Sequence, residues 1–285
     1  MARIATRGDS LLRYLGATLL FLAAACAPPP GTLVDRDSWT VRREFLPHPQ
    51  DRNKRIEVFW TKPSGEGPYP AVLFVHGHQE EIRDGGAAYV RTGRLGAMAR
   101  RGYVAASFSQ PGYGYSDGPA DFCGPFTQDA ALAALAYLRQ QPFVRPDKVA
   151  LYGYSRGAIV AAMAATRDPR LAALVLGGGA YDFFSWYPAP LPGINANIDR
   201  EAGRSNDAFM ARSALYHAGR IRAPVLLLHG AADERIPAAQ ASAFAAKLAA
   251  AGVPTTVKIF PDTSHGIPIA AQYREVYPFL DGLLR

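Results

Sequence analysis

The chain has 285 residues, of which 49% are hydrophobic and 19% charged, a globular balance that excludes a disordered or collagen-like polymer and suits one domain with a full core. Its formal net charge of +7 is scattered, with no basic run interleaved with aromatics, which argues against a nucleic-acid surface. Cys26 and Cys123 are the only cysteines, so a disulfide framework is excluded and stability must come from the core.

The chain opens with Arg3, Arg7 and Arg13, followed by an apolar run from Tyr14 to Ala25. That run is short for a bilayer and ends in small residues, as a secretory signal does. Residues 22–26 read L-A-A-A-C and resemble a bacterial lipobox, although Ala23 stands where that pattern prefers Leu and Leu22 lies one step further away. The resemblance implies export, a lipid on Cys26 and attachment to a cell-envelope membrane. Cleavage at an A-x-A site and an uncleaved anchor are the alternatives. Without Arg3, Arg7, Arg13 and Asp9 the chain keeps 28 basic and 23 acidic residues, a net +5. Residues 1–25 are therefore expected to be a signal peptide and 26–38 a tether stiffened by Pro28–Pro30. The folded domain is expected over 39–285.

Arg55–Thr61 alternates polar and apolar residues and predicts a half-buried strand. The Gly- and Pro-rich stretch Lys62–Pro70 predicts a turn. Ala71–Val75 is a continuous apolar run, as in a strand covered on both faces, and leads into H-G-H-Q at 76–79. A helix is predicted over Tyr89–Arg101, stopping at Gly102, then a strand over Tyr103–Phe108. Next come a helix over Phe126–Gln140, a strand over Lys148–Tyr152, a helix over Ser155–Thr166 and a strand over Leu171–Leu176. Residues 182–222 hold Trp186, Phe209 and several prolines. They predict either a small lid of one or two helices or a single connecting helix with a long loop. A strand over Pro224–His229, a helix over Ala238–Ala251 ended by Gly252, a strand over Thr255–Phe260 and a helix over Ile269–Leu284 complete the chain. Such alternation predicts an α/β fold with a mostly parallel sheet of about eight strands, helices on both faces and ligands at the carboxyl ends of the strands.

Reactive residue types follow those strands. G-Y-S-R-G at 153–157 joins a predicted strand to a predicted helix. Gly153 and Gly157 leave space for a tight turn that lifts Ser155 above the sheet and turns the Arg156 N–H toward a developing oxyanion; the alternative is a glycine-flanked turn serine. Asp233, in H-G-A-A-D-E-R-I-P at 229–237, can orient an imidazole. Otherwise it caps the helix after Pro237. Glu234 is a weaker candidate, Asp182 a reserve, and Asp262 lies too close in sequence to the histidine. His265, in P-D-T-S-H-G at 261–266, can shuttle the proton. The backbone N–H of His78 is expected to be the second oxyanion donor, with Gln79 as the alternative. The side chains of His76 and His78 read as structural or pocket-lining, and Cys123 as a small buried or loop residue. This chemistry needs no metal or organic cofactor.

The order Ser155, Asp233, His265 on this framework resembles the α/β-hydrolase superfamily over roughly residues 40–285. The stretch 229–237, then A-G-V-P, then I-F-P-D-T-S-H-G is similar to the prolyl oligopeptidase family around its acid and histidine. That resemblance implies a triad of Ser155, Asp233 and His265. The stretch S-Q-P-G-Y-G-Y-S-D-G-P at 109–119 resembles the glycine-rich loop after the third core strand of these hydrolases, which implies that Tyr113 and Tyr115 border the pocket, unless they pack as surface aromatics. Two departures stand out: no β-propeller is expected ahead of the domain, and Ala158 follows Gly157 where the peptidases commonly have a second glycine. Dienelactone hydrolases, also similar, use a cysteine where Ser155 stands. The first expectation is therefore hydrolysis of a small carboxylic ester through an acyl-enzyme. The alternative is a serine peptidase acting on short peptides, and a third reading is a silent envelope binding protein on a hydrolase scaffold.

Overall fold

The computed structural model describes residues 30–35, 39–80 and 83–285. The expected signal peptide, Cys26 and most of the expected tether lie outside the described residues. Nine strands are formed within them: β1 (Gly31–Val34), β2 (Thr40–His48), β3 (Asp51–Thr61), β4 (Tyr69–Val75), β5 (Val104–Phe108), β6 (Val144–Tyr154), β7 (Ala173–Gly177), β8 (Val225–Gly230) and β9 (Thr255–Phe260). They make one sheet in the order β1-β2-β3-β5-β4-β6-β7-β8-β9. From β5 to β9 every neighbouring pair is parallel, whereas β1, β2 and β3 form an antiparallel wing on one edge. This is the α/β-hydrolase architecture. β1 falls inside the expected tether, where pairing of Gly31–Val34 with Thr40–Arg43 draws it into the sheet.

The period of two along a strand sorts its side chains between two cores. In β4, Ala71, Leu73 and Val75 join one apolar cluster and Val72 and Phe74 the other, all at most 1% exposed. The first cluster is covered by helices Pro125–Arg139, Arg156–Ala165 and Ala239–Ala250, the second by Ala87–Arg91, Arg94–Arg100 and Ile269–Leu284. A strand between two helical layers must be apolar on both faces, which is why the central strands read as unbroken hydrophobic runs. The helix expected over Tyr89–Arg101 is split in two, because Gly93 takes a left-handed φ of 71° between the pieces.

Over residues 182–222 the chain forms helices Phe183–Trp186, Pro192–Glu201 and Asn206–Met210 and a 3₁₀ turn at Ala214–Arg220, more pieces than the lid of one or two helices expected. This cap is anchored from below. The Gln240 side chain accepts the N–H groups of Tyr181 and Asp182, and the buried Arg212 guanidinium donates to the carbonyls of Asp121, Phe122 and Ala208. Among the described residues no helix is long and apolar enough to cross a membrane.

Candidate active site

Ser155 sits between β6 and the helix Arg156–Ala165 with φ 54° and ψ −125°, a backbone conformation that costs energy for a residue with a side chain. The turn is held by the Ser155 N–H, which donates to the Gly177 carbonyl of β7 at 2.7 Å. It also requires its glycines. A Cβ on Gly153 would lie 2.1 Å from the Gly157 carbonyl oxygen, and one on Gly157 would lie 2.1 Å from that of Val75. The helix follows at once, so the Arg156 N–H, in its first turn, has no intrahelical acceptor.

The loops after β8 and β9 bring the other two candidates to this hydroxyl. His265 Nε2 lies 2.7 Å from Ser155 Oγ, and His265 Nδ1 lies 2.7 Å from Asp233 Oδ2. Asp233 Oδ1 accepts the N–H groups of Arg235 and Ile236, each at 2.9 Å. Its side chain is fully buried. Burial alone would raise the pKa of this carboxyl, but hydrogen bonds from His229, His265 and the Ile236 N–H outweigh it and hold the group well below the usual carboxylate range. An ionised Asp233 fixes the proton of His265 on Nδ1 and leaves Nε2 as an acceptor for the serine proton.

Two residues with no role assigned from sequence complete this arrangement. Buried His229, at the end of β8, places Nε2 2.8 Å from the Ile236 carbonyl and 3.3 Å from Asp233 Oδ2, bracing the carboxylate from behind. Tyr154, next to Ser155, donates its hydroxyl to the His265 carbonyl at 2.6 Å and accepts the Ile267 N–H at 2.9 Å, which pins the histidine loop. The only trace of either in the sequence is its spacing from Asp233 or Ser155.

The loop after β4 lies against the serine: a Cβ built on Gly77 would be 3.2 Å from Ser155 Cβ. Among the described residues the His78 N–H, on the loop beside Ser155, has no protein acceptor. The loop is held from the glycine-rich stretch after β5. Gln110 N–H donates to His76 Nε2 at 3.0 Å, and His76 Nδ1 faces the Gly77 carbonyl at 2.8 Å, so the buried ring is a neutral Nδ1–H tautomer. Burial pushes its pKa down to about 4. The Gln79 side chain bonds both the N–H and the carbonyl of Gly85, and the Gln79 N–H, the alternative donor, likewise has no protein acceptor among the described residues.

The remaining candidates stand elsewhere. Glu234 and Asp262 are exposed, and Asp182 caps helix Phe183–Trp186 by accepting the Phe184 N–H. Tyr113 is fully buried against His78, whereas Tyr115 is 47% exposed and does not line the cavity over Ser155. Cys123 is buried, its thiol pushed up to about 12 by desolvation, and it points at the Arg156 carbonyl.

A cavity of about 270 Å³ opens over Ser155 and His265. Its walls are Phe122 and Ile159 from the core, Trp186, Leu191, Ile194 and Asn197 from the cap, and Ile236. His78, Glu80 and Arg235 add the polar groups. Beneath it the Arg156 guanidinium lies over the Phe122 ring at 4.7 Å and pairs with Glu201 at 2.6 Å, both side chains being buried. That pair ties the cap helix Pro192–Glu201 to the Ser155 turn.

Residues 122–285 match the model of the prolyl oligopeptidase family, and residues 53–190 match that of the X-Pro dipeptidyl-peptidase (S15) family. Uncharacterized peptidase YtmA of Bacillus subtilis is 27% identical over 187 residues, 64% of this chain and 70% of that protein. Dipeptidyl-peptidase 5 of Porphyromonas gingivalis is 26% identical over 243 residues, 81% of this chain. Among solved structures, a puromycin-hydrolyzing peptidase of Mycobacterium tuberculosis is similar with a TM-score of 0.77 and 25% identity over 87% of this chain. The chain spans 33% of the Porphyromonas protein and 40% of the mycobacterial one.

Proposed function

The chain belongs to the prolyl oligopeptidase family, and on that premise we propose that it is a serine peptidase cleaving short peptides through an acyl-enzyme on Ser155. The carrying observation is the hydrogen-bonded line from Ser155 Oγ through His265 to Asp233, each link 2.7 Å long. His265 takes the serine proton as Oγ attacks the scissile carbonyl. The N–H groups of Arg156 and His78 receive the oxyanion, each such donor contributing about 3–4 kcal/mol to transition-state stabilisation. His265 then protonates the leaving amine, and water repeats the sequence to release the acyl group. The cavity walls suit one apolar group of moderate size on the acyl side of that bond.

Ester hydrolysis, the first expectation from sequence, gives way to the peptidase alternative because the matched families and the relatives named above are peptidases. An ester with the same acyl group passes through the same acyl-enzyme and is expected to react as well. A panel of peptide anilides and matched p-nitrophenyl esters tests the preference, with Ser155→Ala as control. Anilide turnover and fluorophosphonate labelling, both abolished in Ser155→Ala, are expected. Fast ester turnover with inert anilides would reverse the assignment, and folded wild-type protein that takes no label would remove Ser155 as the nucleophile. We place the protein at a cell-envelope membrane through a lipid on Cys26, on the sequence pattern alone. Release of Cys26→Ser from the membrane fraction is the corresponding check.

A further inference from the structure

His78 contributes a backbone N–H to the oxyanion site, but its imidazole also lines the catalytic cavity. Nδ1 of that ring lies 2.8 Å from the hydroxyl of Tyr113, which has 0% exposure. Burial keeps this phenol protonated, and a buried hydroxyl proton needs an acceptor. His78 Nδ1 is the hydroxyl's one hydrogen-bond partner among the described residues. Nδ1 must then offer its lone pair, and in the neutral ring the proton belongs to Nε2. Burial and the nearby positive charge of Arg156 both favour the neutral ring. Nε2 has no hydrogen-bond acceptor among the described residues. Its polar neighbour is the exposed Glu80 carboxylate at 3.9 Å, beyond hydrogen-bond length.

From this arrangement we propose that the His78 imidazole is a substrate-binding group, whose Nε2–H receives the carbonyl oxygen of the amide preceding the scissile bond, with Tyr113 as the positioning residue that selects its tautomer. The acyl side is indicated because the cavity that holds the ring also carries the apolar walls assigned to the acyl group. A neutral carbonyl is indicated over a carboxylate because Glu80 stands beside the donor and repels an anion. One residue thus grips two successive carbonyls, the scissile one by its main chain and its neighbour by its side chain. The choice of substrate rests on the peptidase reading; the tautomer does not.

The test uses the whole chain with ¹⁵N-labelled histidine and a matched ligand pair, N-acetyl-leucine amide and 4-methylpentanamide, which differ by the acetamido group. In the free protein, His78 Nδ1 is expected to resonate as an unprotonated nitrogen and Nε2 as a protonated one, with the two forms mixed in Tyr113→Phe. Addition of N-acetyl-leucine amide is expected to move the Nε2 signal, and addition of 4-methylpentanamide to leave it in place. In parallel, kcat/KM is compared for the p-nitrophenyl esters of N-acetyl-leucine and 4-methylpentanoic acid. The ratio between them should fall about tenfold in His78→Phe, fall less in Tyr113→Phe and be partly restored in His78→Gln, which keeps a donor. A proton on Nδ1 in the wild type overturns the proposal, as does a ratio unmoved by His78→Phe. If neither ester reacts with wild-type protein, the nucleophile assignment fails while the spectra still decide the role of His78.

Discussion

Asp233 is a buried anion whose oxygens meet two main-chain N–H groups and two imidazoles, those of His229 and His265. Its charge is what keeps the His265 proton on Nδ1, so Asp233→Asn is expected to lower kcat by about 10⁴-fold through the wrong tautomer. Ester turnover normalised to active-site titre measures this; a loss under tenfold would mean that another group orients His265. His76 makes a separate prediction about stability. Its folded pKa of about 4 lies below the unfolded value near 6.5, so the unfolded chain takes up the proton first. The contribution is complete above about pH 6.5 and is lost as the pH falls toward 4, at most by about 1.4 kcal/mol per pH unit. Urea unfolding at stepped pH should show that decline, and a flat profile from pH 7 to 4.5 would contradict a neutral buried ring. The meeting of Ser155, Asp233 and His265 was legible in sequence because each follows a recognisable strand. Tyr154, His229 and the Tyr113–His78 contact were not, because their roles depend on which ring nitrogen or hydroxyl meets which partner across the fold.

The cap helix Pro192–Glu201 is fastened to the Ser155 turn by a buried ion pair, Arg156 with Glu201. Removing one partner leaves an uncompensated charge in an apolar setting. Glu201→Ala should therefore destabilise the protein by about 3–5 kcal/mol and raise KM more than it lowers kcat, because that helix supplies Ile194 and Asn197 to the cavity wall. Denaturant unfolding together with the KM and kcat split checks both parts. Most elements from β4 onward follow the sequence reading to within a few residues, since buried parallel strands announce themselves as apolar runs. β2 was not foreseen. Its stretch T-V-R-R-E-F-L-P-H mixes charges and a proline and is mostly half-buried or exposed, so no clean alternation marks it. The cap was foreseen as a place rather than a shape, because its short helices are fixed by tertiary ties such as Gln240 and Arg212.

Across the whole molecule, the sheet order sets the loops after β4, β6, β8 and β9 around one rim, while the antiparallel wing only extends the platform. The opposite edge ends at β9, where Val257 and Ile259 point to the same side and are each 36% exposed. An edge strand, paired on one side only among the described residues, with exposed apolar residues is a template for association. Replacing both by lysine should delay aggregation on heating without altering turnover, as followed by light scattering and ester assay; equal aggregation onset would place the weak point elsewhere.

All ten residues of the helix Arg156–Ala165 are buried, and six of them are glycine or alanine. Apart from the end that faces the cavity through Arg156 and Ile159, such a segment cannot accept larger side chains without displacing its neighbours. Directed evolution toward new substrates would therefore find this segment closed to variation and the cap surface open to it. Libraries spread over residues 183–201 should yield altered selectivity, whereas those aimed at 156–165 should yield mostly misfolded protein.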